Sequence, residues 1–170
     1  MIYEFCAENV TLLEKAMQAG ARRIELCDNL AVGGTTPSYG VTKAAVELAS
    51  NYDTTIMTMI RPRGGDFVYN DLEIAIMLED IRLTAHAGSQ GVVFGALTVD
   101  KKLDKSNLEK LIAASKGMEI VFHMAFDELS DDDQLEAIDW LSQAGVTRIL
   151  TRAGVSGDSL EKRFAHYHRI

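Results

Sequence analysis

Apolar and polar positions along the chain fall into two alternating rhythms. Short runs rich in β-branched and aromatic residues are followed by longer stretches with helical spacing, and the pair of signals recurs about every 30 residues. The pattern predicts strands at Ile2 to Glu8, Arg23 to Asp28, Thr54 to Ile60, Gly91 to Val99, Met118 to Phe126 and Arg148 to Arg152. Between them it predicts helices from Asn9 as N-cap to Gly20, from Val41 to Tyr52, from an Asn70 cap to His86, from Ser106 to Ser115 and from Asp131 to Ala144. A further helix is expected to run to Ile170. Glycines 20, 88, 117 and 145 stand just before strands, where helices stop.

Six consecutive βα units imply a parallel sheet, either open and doubly wound or curled into a (β/α)8, or TIM, barrel. The strand faces favour the barrel. Glu4, Cys6 and Glu8 share one face of the first strand, with Tyr3, Phe5 and Ala7 on the other. Arg23, Glu25 and Cys27 share one face of the second, opposite Ile24 and Leu26. A sheet covered by helices on both sides is apolar on both. One polar face on successive strands points to a lumen with a functional mouth at the strands' C-terminal ends. The barrel is expected to be incomplete, because only about six units are present.

The chain has 170 residues, enough for one domain, and a formal net charge of −8. That charge argues against a nucleic-acid surface. No apolar run is long enough for a membrane span. Glu4 and Glu8 interrupt the first apolar run, so it does not read as a signal peptide, and a cytoplasmic location is expected. In a reducing compartment Cys6 and Cys27 are expected as thiols.

Candidate chemistry gathers at strand ends. The segment "IRPRGGDFVYND" leaves the third strand with Arg61, Arg63, Gly64, Gly65 and Asp66. Arginines suit a carboxylate or phosphate, and glycines let backbone amides approach it. The loop "NLAVGGTTPSYG" after the second strand adds Gly33 and Gly34. The alternative is a pair of tight turns with the arginines bound to Glu25 or Asp66. His123 and Asp127 in "FHMAFDE" are candidates for acid–base work, or for structural hydrogen bonds. Glu4 and Glu25 stand as acid–base candidates or as members of a paired network with Arg23, Arg61 and His123. His86, His166 and His168 are expected on helix surfaces. Cys6 and Cys27 follow equivalent glutamates, in "EFC" and "ELC", on adjacent strands. Two thiolates suit Cu(I), which accepts low coordination, and the competing reading is two small buried hydrophobes.

Taken in order, "GARRIELCDNLAVGGTTPSYGV", "IRPRGGDFVYND", "GVVFGALTVD" and "FHMAFD" resemble the CutC copper homeostasis family, over nearly the whole chain from Ile2 to Thr151. The resemblance implies a TIM barrel, a cytoplasmic location, a role in copper handling and Cu(I) bound by Cys6 and Cys27. It also carries a polar mouth onto Glu4, Glu25, Arg61, Arg63, Asp66, His123 and Asp127. Met124 stands where the family has an arginine. The chain stops short of a seventh and eighth strand, so it is expected to be a C-terminally truncated copy, or one whose open edge another chain covers, as in a homo-oligomer. Three functions follow as expectations: Cu(I) binding, an enzyme acting on a small anionic or phosphorylated metabolite, or an inactive barrel fragment.

Overall fold

A computed structural model describes residues 2–154 together with Ser159 and Glu161. Six strands pair side by side in chain order, all parallel: β1 (Glu4–Glu8), β2 (Arg23–Cys27), β3 (Thr55–Met59), β4 (Gly91–Phe94), β5 (Glu119–Phe122) and β6 (Arg148–Ile149). The connecting helices are α1 (Leu13–Gln18), α2 (Tyr39–Ala49), α3 (Asp71–Ala87), α4 (Lys105–Ala114) and α5 (Asp131–Gln143). The sheet curls into a half barrel. Its curvature is visible in Arg148 of β6, whose Nη2 reaches the Met57 sulfur of β3 at 3.9 Å.

The helices start where a side chain satisfies an orphan amide. Ser38, Asp104 and Ser130 accept hydrogen bonds from the amides three residues on. Asn70 and Glu73 form a reciprocal capping box at the start of α3. The first helix departs from expectation. Asn9 has a left-handed φ of 57° and its amide bonds to the Cys27 carbonyl at 2.8 Å, so it extends the β1–β2 ladder and does not cap α1. The fourth and fifth strands are shorter than their apolar runs. Leu97 leaves the ladder to bond the Phe67 carbonyl, and Met124–Glu128 wind into a 3-10 turn. The expected terminal helix, with His166 and His168, lies outside the described residues. His86 is exposed on α3 and stacks with Tyr39.

Alternation along the strands sorts the side chains into two layers. Ala7, Ile24, Leu26 and Ile56 pack outward against Leu13, Met17 and Ala45 of α1 and α2. Val92, Phe94, Ile120 and Phe122 pack outward against Ile74, Met77, Ile81, Leu108 and Leu141 of α3, α4 and α5. Each fully buried large side chain contributes about 1.5–3 kcal/mol, so this outer layer supplies most of the cohesion. The inner layer is thin: Cys27, Met57, Met59, Val93 and Val121, with Leu150 against it.

Gly91 shows how tightly that inner layer is fitted. A Cβ there would lie 2.1 Å from the Met57 Cε and 2.7 Å from the Glu119 carbonyl oxygen. The methionine fills the space the glycine leaves. Gly91→Ala is therefore expected to destabilise the fold by about 1–3 kcal/mol, read as a lower urea midpoint, because the neighbouring backbone cannot rotate away.

Candidate functional site

The β1–β2 ladder places Glu4 beside Arg23, Cys6 beside Glu25 and Glu8 beside Cys27. The "EFC" and "ELC" steps are thus offset by two residues, and the cysteines do not sit at equivalent positions as their motifs suggested. Because side chains repeat every two residues, the offset keeps all six on the lumen face. The two sulfurs are 4.0 Å apart. One oxygen of Glu25, Oε1, accepts from Cys6 Sγ at 3.5 Å and from Cys27 Sγ at 3.7 Å. Cys27 is fully buried and Cys6 is exposed. The Cys27 thiol is pushed well up from its ordinary pKa by its hydrogen bond with Cys6, by burial and by the Glu25 charge. Burial also raises Glu25, reinforced by the Glu4 charge.

This cluster faces a cavity of about 370 Å³ lined by Glu4, Cys6, Arg23, Glu25, Val121 and Arg148. Two ion pairs, Glu4 with Arg23 and Glu119 with Arg148, lie on the same face near the strands' N-terminal ends. Arg148 drew no attention in the sequence. Only the parallel register of β6 with Val121 reveals that it points inward.

At the C-terminal ends, Arg61 is 4% exposed and its guanidinium is committed to backbone. Nη1 donates to the Val32 and Gly34 carbonyls at 2.8 and 2.9 Å, and Nη2 donates to Gly65 at 2.7 Å. The glycines make this closeness possible. A Cβ on Gly34 would lie 3.0 Å from the Cys27 sulfur, one on Gly33 3.3 Å from Arg61, and one on Gly64 2.8 Å from Val32. The two glycine loops pack against each other around Arg61, and Gly34 roofs Cys27.

Arg63 is bound to Glu73 at 2.5 Å and to Asp66 at 3.0 Å, and also donates to three backbone carbonyls. The hydrogen bond from Arg63 holds Asp66 below the usual carboxylate range. Asp127 is buried and locks the end of β5 to the segment after β6, accepting from the Thr151 hydroxyl and from the Arg152 amide. Met124 is half-buried at the start of the 3-10 turn.

His123 is 3% exposed and lies beside Phe67, with ring centroids 4.7 Å apart. Its Nδ1 accepts from the Ala125 amide at 3.2 Å, which puts the proton of the neutral ring on Nε2. Burial, aided by the Arg61 charge, pushes its pKa down to about 3. Three buried polar atoms around Phe67 and Arg61 have no partner among the described residues: Arg61 Nε, His123 Nε2 and Tyr69 Oη. Tyr69 is a second residue the sequence did not single out; its burial, inside a loop that reads as polar, is a tertiary fact.

The depressed histidine pKa has a consequence for acid stability. The unfolded state binds a proton near pH 6.5 that the folded state resists down to about 3, so His123 leaves full stability above pH 6.5 and removes it as pH falls. His123→Phe is expected to cost about 1 kcal/mol at pH 7, through the lost Ala125 hydrogen bond. At pH 4 the variant is expected to be the more stable protein, since the wild type then bears a penalty of about 3 kcal/mol. Urea unfolding at the two pH values reads the crossover.

The CutC family profile matches residues 1–164. A CutC family protein of Enterococcus faecalis is 53% identical over 170 residues, covering 100% of this chain and 81% of that protein. A human protein described as a copper homeostasis protein cutC homolog is 41% identical over 160 residues, covering 94% of this chain and 56% of that protein. The crystal structure of a Streptococcus agalactiae protein described as a copper homeostasis protein, CutC, superposes with a TM-score of 0.94 at 46% identity, over 98% of this chain and 79% of the other. A Schiff-base-forming fructose-1,6-bisphosphate aldolase matches at TM-score 0.63 and 15% identity over 92% of this chain and 61% of the other, a likeness of fold alone. The family profile over residues 1–164 and this degree of identity lead to one conclusion: the chain belongs to the CutC family.

Proposed function

We propose that the protein handles copper by binding Cu(I) through Cys6 and Cys27. The observation that carries this reading is the pair of inward sulfurs 4.0 Å apart, one buried and one reachable from the lumen cavity. Thiolates are the soft donors that Cu(I) prefers. Two sulfurs at this separation can both reach one ion lying between them. A half-exposed, half-buried pair also gives the ion a way in through Cys6 and a sheltered end at Cys27. Both thiols give up their protons as the ion binds, so affinity rises with pH. Membership of a family whose human relative is described as a copper homeostasis protein supports the same reading. Two unbridged thiols fit a reducing compartment such as the cytoplasm. No helix among the described residues is long and apolar enough to cross a membrane.

A second reading is supported by a separate observation. Arg61 Nε, Tyr69 Oη and His123 Nε2 are buried donors without acceptors, which suits a small anionic or phosphorylated metabolite at the barrel mouth. In that reading Arg61 and Tyr69 hold the anion, while His123 and Glu25 are the groups available to exchange protons.

Anaerobic titration of the reduced protein with Cu(I) against a competing chelator tests the first reading. One tightly held Cu(I) per chain is expected, with affinity falling by roughly 100-fold or more in Cys6→Ser and in Cys27→Ser. Equal binding by all three proteins would remove the cysteines from the function.

A further inference from the structure

We infer that Glu25 is a third ligand at the cysteine pair, and that the Cys6–Glu25–Cys27 triad takes a borderline divalent cation of the zinc type in addition to Cu(I). The inference rests on the two cysteines acting as metal ligands, and it goes further by assigning a third donor and a second class of ion.

The geometry is specific. The three donor atoms form a triangle with sides of 4.0, 3.5 and 3.7 Å. The point equidistant from all three lies about 2.2 Å from each, which matches zinc–sulfur bonds of about 2.3 Å and zinc–carboxylate bonds of about 2.0–2.2 Å. A single carboxylate oxygen faces both sulfurs, so one ion in the plane meets all three donors together. The strand register builds this without strain: Glu25 and Cys27 are two residues apart on β2, and Cys6 is the direct neighbour of Glu25 on β1.

Charge points the same way. Among the described residues, the other lumen-face carboxylates are each satisfied. Glu4 pairs with Arg23, Glu119 pairs with Arg148, and Glu8 accepts from the Leu30 amide at 2.7 Å. Glu25 is 6% exposed, and its hydrogen-bond partners are the two thiols. A buried carboxylate with no cation is costly. Two thiolates beside it add like charge, which a divalent cation offsets more fully than Cu(I) does. Cu(I) is content with two sulfurs, whereas zinc takes four donors, which in open sites are three protein ligands and a water or other ligand. The lumen cavity supplies that open position. Glu25 is therefore the residue that separates the two ions.

Cobalt(II) and zinc(II) titrations of the reduced, metal-free protein provide the test. Cobalt is expected to produce thiolate charge-transfer absorption with the intense visible bands of a four-coordinate ion, and one equivalent of zinc to abolish them. Losing even an outer partner of a metal ligand costs about 10–100-fold, so removing a direct ligand in Glu25→Gln is expected to weaken zinc by roughly 100-fold, and Cu(I), whose bound thiolates no longer donate to Glu25, by a smaller factor. This variant removes a buried unpaired charge and is expected to stay folded, which circular dichroism checks. Unchanged zinc affinity and an unchanged cobalt spectrum in Glu25→Gln would overturn the assignment, as would the absence of any zinc binding in the wild type. Those results leave Cu(I) binding by the cysteines intact. Conversely, zinc bound in a Glu25-dependent way by a protein with no Cu(I) affinity would uphold the triad and overturn the copper reading.

Discussion

The pairing of Cys6 with Glu25 across β1 and β2 is the contact from which the site's organisation follows. It fixes three lumen-facing rungs: Glu4 with Arg23, Cys6 with Glu25, and Glu8 with Cys27. Aligning the two Glu-x-Cys steps directly would instead set Glu4 beside Glu25 and leave Arg23 without its carboxylate. Like charges on neighbouring strands are destabilising, and an ion pair replaces them in the observed register. The same two-residue offset places Glu25 Oε1 between the sulfurs. Electrostatics at the bottom of the strand pair thereby sets the donor triangle in its middle.

At the other end of the strands, Arg61 closes the structure. Its guanidinium collects carbonyls from two loops that are far apart in sequence, those of Val32, Gly34 and Gly65. A planar fork with a permanent charge is suited to this, since it can serve several acceptors in one plane. Lysine would offer a point charge and lose the geometry. The consequence reaches the sulfur site, because Gly34, held by Arg61, rests on Cys27. The mouth of the half barrel and the Cys6–Glu25–Cys27 cluster in its lumen are thus joined through Gly34.

The two faces of the sheet serve different ends. The outer face is apolar and packs on the helices, and it supplies the cohesion. The inner face carries groups whose titration is shifted by their surroundings: a desolvated glutamate and a thiol, both pushed up, and a buried histidine pushed down, which withdraws stability only as the pH falls below about 6.5. Perturbed groups of this kind cluster more often at functional sites than elsewhere, and here they lie on one face.

The sequence by itself determined the six strands, their parallel order, the polar lumen face and the family. Those features are written in local periodicity, in caps such as Asn70 and Ser130, and in the long glycine–arginine segments. It also identified Cys6, Glu25, Cys27, Arg61 and His123 as the residues to watch. What tertiary structure alone decided is how they are used. Register is a property of two strands together, so the offset that puts Glu25 between the cysteines could not be read from either motif. Sheet curvature brings Arg148 across to Met57, 91 residues away in sequence. Loop closure gives most of the Arg61 donors to carbonyls, and it buries the Tyr69 hydroxyl and the His123 Nε2 without a hydrogen-bond partner among the described residues. Periodicity reports which way a side chain faces; the atoms it meets depend on segments that only the folded chain brings together.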